Sequence, residues 1–311
     1  MAAGVSSYVM RPSQVTWGYV VSAGFESWSP EEIISTLSRL GYHNIEWTLD
    51  HFNPRLRSST ELKNMIRLGQ DEGLVDSQVA AFIDFISGDC DARQDKLQLA
   101  IETINAAADS GVSLVSIYAG PNSWDPRAPQ IPLELTTSEA WGRLWATLDV
   151  LYPLAEAEGL TLCFKPCVGS LAYDYFSTLP VIDQYGQSKS FGINLDPSHL
   201  VLYGNDIAWV VSEYADLIKH VHLKDVFGMP GDEGRHFMFP LLGEGITDWL
   251  SLYTALKDQK YCGSFSIIFE AFTYFSNVLD QDPVFSLKKN LGAARPVPLV
   301  RDAADRWSRA R

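Results

Sequence analysis

The chain has 311 residues, 46% of them hydrophobic, and a formal net charge of −14. The negative charge disfavours nucleic acid as a partner, since binding to phosphate backbones needs clustered Lys and Arg. No segment approaches the roughly 20 uninterrupted apolar residues of a membrane span, and the first residues lack the basic start and apolar core of a secretory signal, so we expect a cytoplasmic protein with no membrane partner.

Strand-like apolar runs alternate with helical segments along the chain. The first helix shows the signals: Ser29 and Pro30 begin it, acidic residues follow, and Gly41 ends it. The predicted strands are 15–20, 44–49, 75–83, 113–118, 161–164, 191–195, 218–223 and 264–269. The predicted helices are 29–40, 59–72, 92–110, 137–158, 173–185, 206–215, 247–258 and 278–291.

Eight strand–helix pairs predict a single (β/α)₈ TIM barrel. Alternating strands and helices imply parallel pairing, and eight such units close into a barrel whose active site lies at the C-terminal ends of the strands. We expect one domain over residues 1–311, with its core at about 15–291 and a C-terminal tail at 292–311. Two long loops, 118–126 with Trp124 and 227–239 with Arg235, either close over a ligand or form ordinary surface turns.

Three strands end in residues suited to metal binding or proton transfer. Asp196 and His199 follow the sixth strand, His222 lies on the seventh, and Glu270 follows the eighth. Carboxylates with an imidazole suit Mn²⁺, Mg²⁺, Co²⁺ or Zn²⁺, and such an ion polarises a carbonyl while a carboxylate moves the proton. Taken singly, each residue also fits a structural role, as a turn cap, a core histidine or an exposed glutamate. Barrel closure brings them towards one point, which favours a site.

Four stretches resemble a known family. They are L-D-P-S-H-L at 195–200, H-V-H-L-K-D at 220–225, P-L-L-G-E-G-I-T-D-W at 240–249 and I-I-F-E at 267–270. The chain resembles the sugar phosphate isomerase/epimerase superfamily, xylose isomerase-like barrels that include ketose 3-epimerases and inosose dehydratase, up to about residue 291. The resemblance implies that Asp196, His222 and Glu270 are ligands of a divalent metal and that His199 lies close to metal or substrate.

The fifth strand departs from this pattern. The superfamily carries a ligand Glu there, often in a stretch like E-P-H-V-G-S, whereas this chain has K-P-C-V-G-S at 165–170. Lys165 then replaces the Glu, and Cys167 replaces the neighbouring His. A protonated lysine cannot coordinate a cation and repels it at short range. Three outcomes stay open: a metal-free site in which Lys165 pairs with Asp196 and Glu270, a metal held by three protein ligands, or a protein that binds its ligand without turnover. A Schiff base through Lys165 is disfavoured because both carboxylates hold its proton.

The resemblance implies an isomerase or epimerase that moves a proton next to a carbonyl of a small carbohydrate-like substrate. A lyase or dehydratase acting on a keto-sugar or cyclitol is the enzyme alternative, and a metal-free sugar-binding or partner protein is the alternative from another class. The predicted catalytic residues are Glu270, Lys165 and His199. Glu270 or His222 is the expected base, with Lys165 stabilising an enolate oxygen and Lys224 orienting the loop after the seventh strand. A second copy of this chain, in a homo-oligomer, is the other partner that we consider. The predicted substrate contacts are His199, Glu46, Trp17, Trp124 and Arg235.

Overall fold

Eight parallel strands close into a barrel in the computed structural model, which describes residues 16–22, 24–270, 272–279 and 282–294. The barrel strands are β1 (Trp17–Val21), β2 (Asn44–Thr48), β3 (Asp76–Ala80), β4 (Leu114–Ile117), β5 (Thr161–Phe164), β6 (Phe191–Leu195), β7 (Ile218–Leu223) and β10 (Phe265–Ile267). They pair in this order, and β10 pairs with both β7 and β1. The predicted (β/α)₈ barrel is confirmed. Two short strands, β8 (Phe227–Gly228) and β9 (Phe237–Met238), form an antiparallel hairpin in the loop after β7.

Helices connect the barrel strands and cover the outside of the sheet. They are α1 (Pro30–Leu40), α2 (Ser59–Asp71), α3 (Cys90–Asp109), α4 (Thr137–Glu158), α5 (Tyr175–Tyr185), α6 (Pro197–Leu202), α7 (Ile207–Tyr214), α8 (Trp249–Asp258), α9 (Phe272–Val278) and α10 (Pro283–Ala294). In α1, the side chains of Ser29 and Glu32 accept hydrogen bonds from each other's backbone N–H, and Gly41 ends the helix in a left-handed conformation, as predicted. Within the described ranges, no helix has the length and apolar character needed to cross a bilayer.

The helices differ from the predicted ones at two places. The helix predicted over 278–291 begins only at Pro283, as α10, because Asp282 caps it: the Asp282 carboxylate accepts the N–H groups of Val284 and Phe285, and the separate helix α9 ends at Val278. A six-residue helix, α6, follows β6 where no helix was predicted. Residues 295–311 of the predicted tail lie outside the described residues.

The interior of the barrel contains a polar layer. Hydrogen bonds cross it between strands that are far apart in sequence, from Gln78 Nε2 to Ser264 Oγ (2.7 Å) and from Asn194 Nδ2 to Ser116 Oγ (2.9 Å). A small apolar group also packs together, made of Val20, Ala80 and Ile268 with Phe82 against them. Other buried polar atoms of this layer have no hydrogen-bond partner, among them both amide atoms of Asn44, Asn194 Oδ1 and His222 Nδ1.

Candidate active site

Two carboxylates and two ammonium groups meet at the C-terminal ends of the strands. Lys165 follows β5, Asp196 follows β6, Lys224 follows β7, and Glu270 comes shortly after β10. Lys165 Nζ lies 3.2 Å from Asp196 Oδ2 and 3.8 Å from Glu270 Oε2. Lys224 Nζ lies 3.2 Å from the same Asp196 oxygen and also hydrogen-bonds Glu270. We call these four residues the ion-pair cluster, in which two positive and two negative charges cancel.

The ion-pair cluster stays charged although it is buried. The side chains of Lys165, Asp196 and Lys224 are at most 2% exposed, whereas that of Glu270 is 17% exposed. Burial raises the pKa of both carboxylates, but the lysines overcome it: the pKa of Asp196 is well below its usual range and that of Glu270 falls to about 2. Burial lowers the pKa of Lys165, but Glu270 and Asp196 overcome it and raise the pKa above its ordinary value.

His199, on α6, lies beside the cluster as a neutral ring. Its Nδ1 accepts a hydrogen bond from the Val168 N–H at 3.2 Å, so the neutral ring carries its proton on Nε2, which lies 3.3 Å from Asp196 Oδ2. Burial and the nearby Lys224 charge lower the pKa of His199 to about 4. Cys167 Sγ lies 3.7 Å from the same Nε2, and burial raises the pKa of this thiol to about 12, so it stays protonated at neutral pH.

A cavity of about 190 Å³ adjoins the ion-pair cluster. Lys165 and Glu270 are the two cluster residues that line it. Lys165 Nζ also lies 4.7 Å from the centre of the Phe82 ring, a cation–π contact. The cavity is lined by Phe82, Tyr118, Asn122, Trp124, Lys165, Cys167 and Glu270. A small ligand in this cavity would meet aromatic walls, one amide, and an ammonium next to a carboxylate.

A second polar group, which we call the inner cluster, consists of Glu46 on β2 and His220 and His222 on β7. His220 Nε2 lies 2.8 Å from Glu46 Oε2, and His222 Nε2 lies 3.0 Å from both Glu46 oxygens. All three residues are completely buried. Burial raises the pKa of Glu46, but His222 and His220 overcome it and lower the pKa well below its usual range. The inner cluster therefore joins β2 and β7, which are separated in the barrel by β1 and β10.

Two groups of described residues have donor atoms spaced closely enough to hold a metal ion. They are the inner cluster and the trio Asp196, His199 and Glu270. In the trio, the ammonium groups of Lys165 and Lys224 already contact the Asp196 and Glu270 carboxylates. His222, the third ligand implied by the resemblance, is spaced for ion binding with Glu46 and His220 and not with Asp196 and Glu270. The predicted set Asp196, His222 and Glu270 therefore does not fit a divalent ion in this arrangement.

The predicted substrate contacts are separated in the structure. Trp124 lines the cavity together with Lys165 and Glu270, and His199 lies behind them. Glu46 belongs to the inner cluster. The other two positions do not line the cavity: Trp17 is buried at the start of β1, where its ring packs against the apolar core, and the side chain of Arg235 is 78% exposed on the loop after β7.

Several residues of the site were not predicted from the sequence. Lys224 was expected only to orient a loop, although period-two geometry puts it on the same face of β7 as His220 and His222. That shared face was the available signal. The cavity residues not predicted as contacts are Phe82, Tyr118, Asn122 and Cys167.

Asp225 fastens the segment 240–249 to the end of β7. This buried carboxylate accepts five hydrogen bonds of 2.9 to 3.2 Å. A Cβ at Gly245 would collide with Asp225 Oδ1, so the close approach requires glycine. The donors are the backbone N–H groups of Val226, Gly243, Gly245 and Thr247 and the indole N–H of Trp249. The motifs at 220–225 and 240–249 therefore form one structural unit.

Barrel, ion-pair cluster and cavity together define a TIM-barrel protein with its candidate active site at the C-terminal ends of the strands. The chain belongs to the xylose isomerase-like TIM barrel family, whose family model matches residues 31–287.

Curated relatives and solved structures agree with this assignment. The chain is 27% identical over 184 residues to inosose dehydratase of Lacticaseibacillus casei, a match that covers 52% of this chain and 57% of the relative. It is 28% identical over 145 residues to inosose dehydratase of Geobacillus thermodenitrificans, covering 42% and 47%. The chain thus spans about half the length of the curated relatives it matches.

Similar solved structures include D-psicose 3-epimerase of Clostridium cellulolyticum H10 with D-tagatose, at a TM-score of 0.70 and 14% identity, covering 90% of this chain and 97% of that one. L-ribulose 3-epimerase has a TM-score of 0.70 and 19% identity, covering 96% and 98%. At such identities the likeness shows the shared fold.

Proposed function

We propose that this protein is an isomerase or epimerase that moves a proton next to the carbonyl group of a small polyhydroxylated substrate. The observation that carries the proposal is the pair formed by Glu270 and Lys165, a carboxylate and an ammonium 3.8 Å apart that line one cavity at the C-terminal ends of the strands. The similarity to proteins named inosose dehydratase and ketose 3-epimerase supports a carbohydrate-like substrate.

Glu270 and Lys165 have complementary roles in this reaction. The Glu270 carboxylate removes the proton from the carbon next to the carbonyl, and the Lys165 ammonium stabilises the negative charge that develops on the carbonyl oxygen. A pKa of about 2 keeps Glu270 ionised but makes it a weak base. A substrate oxygen that takes over part of the Lys165 contact loosens the ion pair and makes Glu270 more basic.

His199 acts on this pair through Asp196. Its Nε2 lies 3.3 Å from Asp196 Oδ2, the oxygen that also contacts Lys165 and Lys224, and 3.0 Å from Lys224 Nζ. His199 is completely buried and does not line the cavity. We therefore assign it a positioning role, in which it keeps the shared oxygen in place.

A second candidate is a dehydratase acting on a keto-sugar or keto-cyclitol. It is favoured by the same two residues, because a base and a proton donor on one side of the cavity can remove a proton and protonate the departing hydroxyl group. The curated relatives named inosose dehydratase also support it. The first step, loss of the proton next to the carbonyl, is common to both candidates.

Deuterium exchange tests the shared step. Ketohexoses, ketopentoses and inososes are incubated with the protein in deuterated water and followed by nuclear magnetic resonance. We expect exchange of the proton next to the carbonyl, lost in Glu270→Gln and retained in the control Glu31→Gln on the exposed side of α1. Loss of water from the product supports the dehydratase. Thermal stabilisation by a sugar without exchange or water loss would instead indicate the sugar-binding protein and contradict the enzyme.

A further inference from the structure

The two carboxylates of the ion-pair cluster are already neutralised by the chain. Asp196 Oδ2 and Glu270 Oε2 each lie within 4.0 Å of both ammonium groups, Lys165 Nζ and Lys224 Nζ. Asp196 Oδ1 is occupied as well, because it accepts hydrogen bonds from the backbone N–H and the hydroxyl of Ser198. A cation binding between Asp196 Oδ2 and Glu270 Oε2 would have to displace an ammonium group.

Charge also opposes an added ion. A divalent cation would give the four residues a net charge of two in a buried site, and burying uncompensated charge costs several kcal/mol per ion. With glutamate at position 165, three carboxylates and Lys224 would carry a net charge of minus two, which a divalent ion matches. The side chain at 165 therefore decides which kind of cation the carboxylates accept.

Lys165 is held in this place from several sides. Its backbone N–H donates to the Ile117 carbonyl at 2.8 Å, its side chain is 2% exposed, and its ammonium lies against the Phe82 ring. Moving the ammonium away would break its contacts with both carboxylates and with this ring. Such a side chain is a fixed part of the site.

We infer that the Lys165 ammonium is a built-in cation that occupies the position of a divalent ion between Asp196 and Glu270. The centre is then independent of added metal, and replacing this one residue converts it into a metal site. The inference concerns cation binding and does not rest on the proposed reaction, because its readouts need no substrate.

The experiment measures metal retained by the full chain and four variants: Lys165→Glu, Lys165→Met, Asp196→Asn and His220→Gln. Each protein is offered Mn²⁺, Co²⁺ or Zn²⁺, desalted, and examined by elemental mass spectrometry and by thermal unfolding with and without the ion. We expect Lys165→Glu to retain a stoichiometric ion and to gain thermal stability from it. The unmodified chain should do neither at this centre. Lys165→Met, which removes the charge without adding a ligand, should retain less ion than Lys165→Glu.

Each outcome decides the inference. A stoichiometric ion in the unmodified chain that is lost in Asp196→Asn would overturn it, even where Lys165→Glu fails to fold. A folded Lys165→Glu that retains no ion would also overturn it. An ion that is kept in Asp196→Asn but lost in His220→Gln is bound by the inner cluster. That result agrees with the inference, because the ion-pair cluster with Lys165 then binds no ion. Deuterium exchange without bound metal would support both the proposed reaction and the role of Lys165 as the cation. Absence of exchange would contradict only the proposed reaction.

Discussion

Replacing Lys165 with methionine should destabilise the fold by about 3 kcal/mol. At an effective dielectric constant of about 20, the Lys165–Asp196 pair at 3.2 Å is worth about 5 kcal/mol and the Lys165–Glu270 pair at 3.8 Å about 4 kcal/mol. Removing the ammonium from water offsets much of this gain. Breaking a buried ion pair from one side typically costs about 3–5 kcal/mol, and we expect the lower end because Lys224 still neutralises one charge.

The assay is urea unfolding at pH 7, with Lys63→Met on the exposed face of α2 as the control. The destabilisation arises from an uncompensated carboxylate, so Lys165→Met combined with Glu270→Gln should recover part of the lost stability. If Lys165→Met lowers the free energy of unfolding by less than about 1 kcal/mol, the pair contributes no more than an exposed ion pair and the prediction is wrong. A double variant whose two losses simply add would refute it as well.

Three further predictions concern the loop support, the response to acid and the cavity wall. Asp225→Asn turns an NH₂ group towards at least two of the five N–H donors, so urea unfolding should show a loss of about 2–4 kcal/mol. Because folding lowers the pKa of His199 from 6.5 to about 4 and that of Glu270 from 4.5 to about 2, the unfolded chain binds more protons in these ranges. The free energy of unfolding should therefore fall as the pH drops from about 6.5 to 4 because of His199, and from about 4.5 to 2 because of Glu270. Urea unfolding midpoints measured in a pH series check this. In His199→Gln the midpoint should depend less on pH between about 6.5 and 4, and an unchanged slope there would contradict the prediction. Trp124→Ala should raise the KM of an accepted keto-sugar without changing thermal stability, and the control Leu56→Ala, at an exposed position outside the cavity, should change neither.

The barrel was predictable because each strand has a local signal. The predicted bounds of β5, β6 and β7 match the structure, since short apolar runs there are bounded by residues that favour turns. The six-residue α6 was not predictable in this way, because the Pro197 that begins it also fits a simple turn. Its cap, Asp196, was noticed for its carboxylate and missed as a helix start.

The site was predictable only in part, because its partners are distant in sequence. The pairing of Lys165 with Asp196 and Glu270 was one of the three outcomes that the sequence left open. The contact of His222 with Glu46 joins residues 176 positions apart across the barrel interior, and no pattern along the chain indicates it. Trp17 shares a strand face with Tyr19 and Val21, which pack in the outer core, and the sequence does not say which face of β1 turns inward. The cytoplasmic location, the single domain and the homo-oligomer stay predictions.

The hydrogen bonds that Asp225 accepts from Val226 and Gly243 allow the segment between these two residues to be replaced as a unit. Both ends of that segment bind one carboxylate, so its length and composition can change without opening the barrel wall. The segment also carries Phe239, whose ring lies 4.1 Å from Lys224 Nζ and packs against His199. A segment of different sequence in this place would therefore change the packing around Lys224 and His199 at the C-terminal ends of the strands, while the strands themselves remain unaltered.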